Sequence, residues 1–269
     1  MNRIGLGTAP LAFKDITTQQ AVATVHAALD CGVSLIDTAL AYTRAGTESF
    51  AEEVVVRACA QRPGHGVLVA TKGGHRRAGD DFPIDASPAA LRADCDTSLR
   101  SLGVKRIDLY QLHWVDPRVP IADSVGALRD LQTAGKIAAI GLSNVSIEQI
   151  GLARAEAPIA SVQNRLSLAD RADLATVAHC ATVGLRYLAY QPLRGSGGRQ
   201  DNRAINEIAA SLGASVPQVW LAWVLAQGAH VTPLVGSSRP ETITESARAG
   251  KFLLDPATVA LLEEQSPAP

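Results

Sequence analysis

The sequence contains little lysine, no excess of charge of either sign and no long apolar segment. Its 25 basic and 26 acidic residues give a net charge of −1. No polycationic stretch is present that would bind nucleic acid or an anionic membrane. The longest uninterrupted apolar run, Val219–Ala226, is far too short to cross a bilayer. We therefore expect a protein that binds neither nucleic acid nor a membrane.

The N-terminus and the cysteines predict a cytoplasmic location. Met1–Ala12 contains one cation and no long apolar core, unlike a secretory signal. The cysteines lack CxxC spacing and fall in predicted helices, which is typical of small apolar residues in a reducing compartment. They are Cys31, Cys59, Cys95 and Cys180. No His, Cys and carboxylate residues have the spacing of a metal site, so no metal is expected.

Length and composition predict one large α/β domain. The chain has 269 residues and is 47% hydrophobic, and a (β/α)8 barrel takes about 250 residues. We expect residues 1–269 to form a single domain. Short apolar runs alternate in it with amphipathic stretches. The predicted strands are Ile4–Leu6, Ser34–Ile36, Val67–Ala70, Ile107–Leu112, Ala138–Leu142, Ser161–Gln163, Arg186–Ala189 and Val231–Val235.

The amphipathic stretches between these runs predict helices. Ser87 before Pro88 is a good N-cap with proline at the first helical position. A glycine such as Gly103 after a helical stretch can complete the last turn. The predicted helices are Thr18–Cys31, Glu48–Gln61, Pro88–Leu102, Ala122–Ala134, Ile147–Ala155, Arg171–Val183, Arg203–Ala226 (broken near Gly213–Pro217) and Pro256–Glu264.

Eight alternations of strand and helix predict a parallel sheet. In a chain of this length they favour a closed (β/α)8 barrel, the TIM barrel. An open doubly wound sheet is the alternative. Against it, Gly5-Leu6-Gly7-Thr8 at the first strand lacks the third glycine of a dinucleotide-binding fingerprint.

Polar residues close most of the predicted strands. In a barrel the C-terminal ends of the strands meet at one rim, where active sites lie. The closing residues are Thr8, Asp37, Lys72, His113, Ser143-Asn144, Gln163, Tyr190 and Gly236-Ser237. A purely structural barrel has no reason to concentrate polar and ionisable side chains there. The pattern therefore predicts a chemical site at this rim.

A lysine at a strand end is informative because lysine is scarce. An unpaired buried ammonium is strongly unfavourable, so Lys72 needs a partner, and Asp37 at the neighbouring strand end is the obvious one. Tyr42 lies five residues past Asp37. A nearby ammonium stabilises a phenolate and makes the phenol a better acid. With His113 able to hold a carbonyl oxygen, these side chains form a plausible proton-donating pocket.

Each of these residues has an ordinary interpretation when it is taken alone. Tyr42 could be a loop aromatic, Asp37 a cap or turn residue, and His113 a structural histidine. Lys72 could be a surface lysine or a Schiff-base nucleophile. Their joint occurrence at consecutive strand ends favours the functional interpretation. The other histidines lack such a setting and are interpreted as structural: His26, His65, His75, His179 and His230.

Four stretches of the chain resemble the aldo-keto reductase family. Gly32–Ala39 with Tyr42 is similar to the family's first signature, in which aspartate and tyrosine are five residues apart. Ala70–Lys72 is similar to the family's lysine strand, and Leu102–Trp114 to the strand carrying its histidine. Gly135–Asn144 is similar to the fifth-strand motif. The motifs occur in order and with family-like spacing along almost the whole chain.

The resemblance implies a barrel enzyme that reduces an aldehyde or ketone with NADPH, or with NADH. Tyr42 would be the general acid, and Lys72 would tune it. Asp37 would pair with Lys72, and His113 would orient the carbonyl. The same four residues would serve the reverse oxidation of an alcohol or sugar.

The resemblance also implies a set of cofactor residues. Those at the ends of the fifth and sixth strands would hold the nicotinamide carboxamide, and Tyr190 would stack on the ring. Gly236–Arg239 opens a stretch to Ser246 that is similar to the loop and extra short helix gripping the adenosine 2′-phosphate. The implied set is Gly7, Thr8, Ser143, Asn144, Gln163, Tyr190, Gln191, Leu193, Gly195, Gly236, Ser238, Arg239, Thr242, Glu245 and Ser246.

Departures from the family pattern predict an open, shallow substrate pocket. Ser246 stands where the family often has an asparagine that contacts adenine. The loops after His113 and Leu193 are short, and little chain follows Glu264. Trp114 is expected to form one wall of the pocket. Weaker candidates for the wall are Leu11, Phe13 and Phe82.

Two other functions remain open at this point. The chain could be a Schiff-base aldolase that uses Lys72, although the spacing of Asp37 and Tyr42 speaks against it. It could also be a regulatory subunit that binds nicotinamide with little turnover. The expected partner is a small-molecule carbonyl compound, and the chain is expected to be a monomer or a weak homo-oligomer.

Overall fold

The computed structural model of the protein describes residues 3–79, 81–196 and 203–266. Eight strands form its centre, and helices surround them. The strands are β1 (Gly5–Gly7), β2 (Leu35–Asp37), β3 (Leu68–Gly73), β4 (Ile107–Leu112), β5 (Ile137–Ser143), β6 (Ile159–Arg165), β7 (Arg186–Tyr190) and β8 (Val231–Gly236). All eight predicted strands are therefore confirmed, although β3, β5 and β6 run further than their apolar runs indicated.

The strands form a closed parallel barrel in which each strand pairs with the next along the chain. Closure occurs where β1 pairs with β8, with Gly7 opposite Gly236. On its other side Gly7 lies opposite Asp37 of β2. The predicted TIM barrel is confirmed, and the open doubly wound sheet is wrong. All strands point the same way, so their C-terminal ends form one rim.

Helices cover the outside of the barrel, and all of them except the first lie where a helix was predicted. They are α1 (Ala9–Phe13), α2 (Thr18–Asp30), α3 (Phe50–Ala60), α4 (Pro88–Leu102), α5 (Ile121–Thr133), α6 (Ile147–Glu156), α7 (Leu174–Thr182), α8 (Arg203–Leu212), α9 (Val216–Ala226), α10 (Pro240–Ala247) and α11 (Pro256–Gln265). Within the described ranges no single helix is long and apolar enough to cross a membrane. Helices α8 and α9, with a bend of 84° between them, together reach the required length and apolar composition, and nothing else indicates that they span a membrane.

Local sequence signals explain where several helices begin and end. The Ser87 hydroxyl accepts a hydrogen bond from the amide of Ala90 at 3.3 Å and so caps α4. Gly103 ends the same helix with φ +62°, a conformation that favours glycine. The short helix α1 was not predicted, because five residues are too few to show a helical period. Helix α10 is the expected extra short helix near the C-terminus.

The barrel separates an apolar outer layer from a polar upper interior. Outward side chains such as Leu6 and Leu142 are fully buried in the core between strands and helices. At the C-terminal half of the interior, the fully buried side chains of Lys72 and Gln111 and the buried side chain of Gln163 are polar instead. Buried polar groups are unfavourable unless they are hydrogen-bonded. Their concentration at one end of the barrel therefore marks the position of a site.

Candidate active site

One cavity opens at the C-terminal ends of the strands. Its volume is about 700 Å³, which lies within the range of small-molecule and cofactor sites. Residues from opposite sides of the barrel line it, including Asp37 at the end of β2, His113 after β4 and Gln163 in β6. The rim predicted from the strand ends is thus the place where the structure forms a cavity.

Lys72 and Asp37 form a buried ion pair below the cavity. The Lys72 ammonium donates to Asp37 Oδ2 at 2.7 Å and to the backbone oxygen of Thr38 at 2.9 Å. Burial by itself lowers the pKa of Lys72, but the charges of Asp37 and Tyr42 outweigh it and the net shift is upward. Lys72 is therefore a cation held in one position, as the partner argument from the sequence predicted.

Two buried amides hold the other oxygen of Asp37. Gln163 donates from Nε2 to Asp37 Oδ1 at 2.8 Å, and Gln111 donates to the same atom at 3.1 Å. Gln111 was not singled out from the sequence. The available signal was an uncharged polar residue within an apolar strand, two positions before His113 and therefore on the same face. Asp37 is thus held through both carboxylate oxygens.

Tyr42 lies beside this ion pair and also lines the cavity. The Lys72 ammonium lies 5.1 Å from the centre of the Tyr42 ring, and Tyr42 lines the cavity wall. Burial raises the pKa of Tyr42, the Lys72 charge lowers it in part, and the net shift is upward. The lowering that we inferred from Lys72 is present but smaller than the effect of burial. The phenol is therefore protonated at neutral pH, as a proton donor must be.

His113 is buried beside Tyr42 and also faces the cavity. The two rings are nearly perpendicular, with their centres 5.9 Å apart. Burial, together with the charges of Lys72 and His75, holds the pKa of His113 well below its usual range. The imidazole is therefore neutral near pH 7. A neutral imidazole can donate one hydrogen bond to an oxygen without carrying a charge.

The residues predicted to hold the carboxamide form one hydrogen-bonded group. Asn144 donates to the backbone oxygen of His113 at 3.0 Å and to Ser143 Oγ at 3.1 Å. The Tyr190 hydroxyl donates to Asn144 Oδ1 at 2.8 Å, and Ser143 donates to the backbone oxygen of Gln163 at 3.0 Å. Asn144 adopts φ +57°, an uncommon value for a residue other than glycine. Ser143, Asn144, Gln163 and Tyr190 all line the cavity.

The remaining predicted cofactor residues divide into two groups. Those lining the cavity are Gly7, Gln191, Leu193 and Gly236. Those outside its lining are Thr8, Gly195, Ser238, Arg239, Thr242, Glu245 and Ser246. In the second group, the Thr8 hydroxyl donates to the backbone oxygen of Asp37 at 3.0 Å, and Glu245 accepts from Ser215 Oγ at 2.5 Å. Arg239 is exposed at the N-terminus of α10.

Several side chains at the cavity mouth were ranked as weak candidates from the sequence or were not identified from it. Trp114 and Phe13 both line the cavity. Leu11 is fully buried in the core, so its packing role is structural. His75 was interpreted as structural, yet its ring lies 4.8 Å from that of His113. Arg165 lines the cavity beside Tyr190, and only its position in β6 could have indicated this.

Comparison with known proteins gives a consistent result. The model of the aldo/keto reductase family matches residues 3–266. A probable aldo-keto reductase of Glycine max is 32% identical over 93% of this chain and 81% of its own length. The glycerol dehydrogenase of Gluconobacter oxydans superposes with a TM-score of 0.87 at 30% identity, covering 98% of this chain and 90% of that one.

A second solved structure shows a relative with its cofactor. The aldo-keto reductase of Klebsiella pneumoniae in complex with NADPH superposes with a TM-score of 0.85 at 29% identity. The alignment covers 99% of this chain and 92% of that one. The barrel, its polar rim and these matches define an oxidoreductase of the (β/α)8 type. The chain belongs to the aldo-keto reductase family, which confirms the resemblance found in the sequence.

Proposed function

We propose that this protein is an NADPH-dependent oxidoreductase that interconverts a carbonyl compound and an alcohol, with Tyr42 as the acid in reduction. The observation that carries the proposal is the buried ion pair of Lys72 and Asp37 directly behind Tyr42, at the wall of the cavity. Such a pair keeps a positive charge beside a phenol that must release a proton. An ion pair that served only the stability of the fold would have no need to lie next to a tyrosine at the cavity wall.

The cavity has the residues needed to hold a nicotinamide cofactor. Ser143, Asn144 and Gln163 offer side-chain oxygens that can accept hydrogen bonds from a carboxamide, and the partly exposed Tyr190 ring offers a face for stacking. Helix α10 presents its N-terminus near Arg239, a suitable place for a phosphate. The NADPH complex of the Klebsiella relative supports this assignment.

Four residues of this chain then have distinct roles in the reduction of the carbonyl group. A nicotinamide cofactor held by the cavity residues would supply the hydride for the carbonyl carbon. His113 donates a hydrogen bond to the carbonyl oxygen and orients it. Tyr42 transfers its hydroxyl proton to the same oxygen as negative charge develops there. Lys72 stabilises the phenolate that remains until solvent returns a proton, while Asp37 keeps the ammonium in place.

The geometry does not favour a Schiff-base aldolase. A lysine attacks a carbonyl group as a neutral amine, so a nucleophilic lysine needs a lowered pKa. The pKa of Lys72 is raised, because Asp37 and Tyr42 outweigh the effect of burial. Its ammonium is also committed to Asp37 and to Thr38.

The direct test is cofactor binding followed by turnover. The purified protein is titrated with NADPH and with NADH by fluorescence, and absorbance of the reduced nicotinamide is then followed with a panel of aldehydes, ketones and sugars. Tight NADPH binding with carbonyl-dependent oxidation supports the proposal. Tight binding without turnover would favour a regulatory subunit, and no binding of either cofactor would reject the proposal.

Replacing Arg239 should weaken NADPH more than NADH. Arg239 is exposed at the start of α10, and a charge-assisted hydrogen bond to a phosphate is expected to contribute about tenfold or more in affinity. For Arg239→Ala we therefore expect the Kd of NADPH to rise about tenfold and that of NADH to change little. Titration of both cofactors measures this.

Arg248→Ala provides the matched control for Arg239→Ala. Arg248 is exposed at the opposite end of the same helix, so its removal changes the net charge equally. We expect the two Kd values to be nearly unchanged in this variant. Equal weakening of NADPH and NADH by Arg239→Ala would reject the contact with the 2′-phosphate.

The pH dependence of reduction should report Tyr42. An acid must be protonated, so activity is present below its pKa and lost above it. Because burial raises the pKa of Tyr42, kcat/KM for reduction should be flat near neutrality and fall only above the ordinary tyrosine value of about 10. The reverse oxidation needs the phenolate and should rise with pH through the same range. A fall of reduction near pH 7 would point to a different acid.

A further inference from the structure

Exposed aromatic side chains gather at one place on this protein. The whole sequence contains only 4 Phe, 3 Trp and 4 Tyr residues. Among the large apolar side chains exposed in the described part of the chain, the aromatic ones are Phe13, Phe82 and Trp114, at 46%, 39% and 37% exposure. Phe13 and Trp114 line the cavity, and Phe82 contacts the Phe13 ring. The exposed rings therefore form one wall at the cavity mouth.

The rings contact one another in a closed circuit. Phe13 meets Tyr42 and Phe82 edge to face, each at 5.7 Å between ring centres. His75 continues the circuit, at 5.6 Å from Phe82 and 4.8 Å from His113, and His113 returns to Tyr42 at 5.9 Å. The two side chains proposed to contact the carbonyl oxygen thus belong to the same aromatic surface as the exposed wall.

Backbone contacts hold this wall in place. The His75 Nε2 atom bonds to the backbone oxygen of Phe82 at 2.8 Å. Arg77 lies 5.8 Å from the Phe13 ring and 5.9 Å from the Phe82 ring. It also donates to the backbone oxygens of Thr43 at 3.0 Å and Gly79 at 2.8 Å. The rings are therefore positioned before a ligand arrives, which reduces the entropy lost on binding.

We infer that the substrate is an aldehyde or ketone attached to a planar aromatic ring, and that Phe13, Phe82 and Trp114 determine this specificity. The inference rests on the proposed function. Exposed apolar patches mark binding sites, and aromatic rings prefer edge-to-face or offset contact with one another. A planar ring against this wall would cover the exposed faces while its carbonyl group reached Tyr42 and His113.

Two aldehydes of nearly equal size provide the first test. Benzaldehyde and cyclohexanecarbaldehyde differ in the planarity of the ring, and conjugation makes the benzaldehyde carbonyl the less reactive one. A higher kcat/KM for benzaldehyde, by about fivefold, must then come from contact with the wall. Glyceraldehyde, small and polar, should be the poorest of the three. Equal or faster reduction of cyclohexanecarbaldehyde would overturn the inference and leave the proposed reaction intact.

Substitution of Phe82 tests the wall without touching the reacting atoms. Phe82→Leu should raise KM for benzaldehyde about fivefold with kcat nearly unchanged, and should leave the kinetics of cyclohexanecarbaldehyde alone. Phe82→Tyr keeps the ring and should behave as the parent protein. Leu152→Ala removes an exposed apolar side chain from α6 and should change neither substrate. A loss of kcat with both aldehydes would instead mean a structural role for Phe82.

Binding separates this inference from the proposed reaction. The protein saturated with NADP⁺ is titrated by calorimetry with benzamide and with cyclohexanecarboxamide, neither of which is reduced. Tighter binding of benzamide than of cyclohexanecarboxamide, with the difference lost in Phe82→Leu, supports recognition of a planar ring by the aromatic wall. This holds even if the protein reduces no aldehyde. No preference would overturn the inference, whatever the outcome of the turnover assay.

Discussion

Tyr42→Phe should lower kcat for carbonyl reduction by at least about a hundredfold while NADPH binding stays close to normal. Loss of general acid catalysis has an effect of about that size. The substitution removes only the hydroxyl and keeps the ring that contacts Phe13 and His113. Single-turnover oxidation of NADPH with saturating aldehyde measures the step, and fluorescence titration measures cofactor affinity.

Tyr110→Phe is the matched control for that experiment. The Tyr110 hydroxyl donates to the backbone oxygen of Leu91 at 3.4 Å, so it faces helix α4 rather than the cavity. Loss of that hydroxyl should leave kcat nearly unchanged. Reduction by Tyr42→Phe at close to the parent rate would remove Tyr42 from the role of the acid and direct attention to His113 or a bound water.

Breaking the buried ion pair should have the largest effect on stability. Lys72→Met leaves the Asp37 carboxylate buried without its cation, and Asp37→Asn leaves the ammonium without its anion. Removal of one partner of a buried pair costs about 3–5 kcal/mol. Gln111 and Gln163 still donate hydrogen bonds to the Asp37 carboxylate in Lys72→Met, so the loss of stability in that variant should lie near the lower end of this range. We expect the two variants to unfold at lower urea concentration and to lose activity.

The double variant separates stability from catalysis. Asp37→Asn with Lys72→Met removes both charges and keeps similar side-chain volumes, so much of the lost free energy of unfolding should return. Activity should not return, because no cation remains beside Tyr42. Recovery of activity together with stability would contradict the proposed role of Lys72.

An exposed ion pair serves as the control for these variants. Arg92 and Asp130 are 2.8 Å apart, and both side chains are about half exposed, at 47% and 55%. An exposed pair contributes about 1 kcal/mol or less. Arg92→Met should therefore change the free energy of unfolding and the activity very little. A large loss of stability or activity in Arg92→Met would mean that the unfolding and activity assays respond to any change of charge rather than to the buried pair.

The barrel was predictable because its signals are local. An apolar run such as Ile107–Leu112 has the length of a buried strand, and Ser87 with Pro88 starts a helix within four residues of sequence. The position of Lys72 at a strand end and its need for a counter-charge also follow from the chain alone. Helix α1 escaped prediction because its five residues show no period.

The contacts of Gln111 and His75 could not be predicted in the same way. Gln111 bonds to a residue 74 positions away, and its partner depends on the register between strands. His75 lies in a loop, where no periodic pattern indicates which way a side chain points. The exposed positions of Phe13 and Phe82 have the same origin, since the end of the short helix α1 and a separate loop bring these two rings together.

The sequence by itself determined the order of strands and helices, the polar residues at the strand ends and the kinship with the aldo-keto reductases. These depend on side-chain period, on turn residues and on motifs within short segments. The tertiary structure alone decided that Gln163 reaches Asp37 across 126 positions and that burial outweighs Lys72 in setting the pKa of Tyr42. Both depend on distances and on water exclusion, which exist only after β1 and β8 close the barrel.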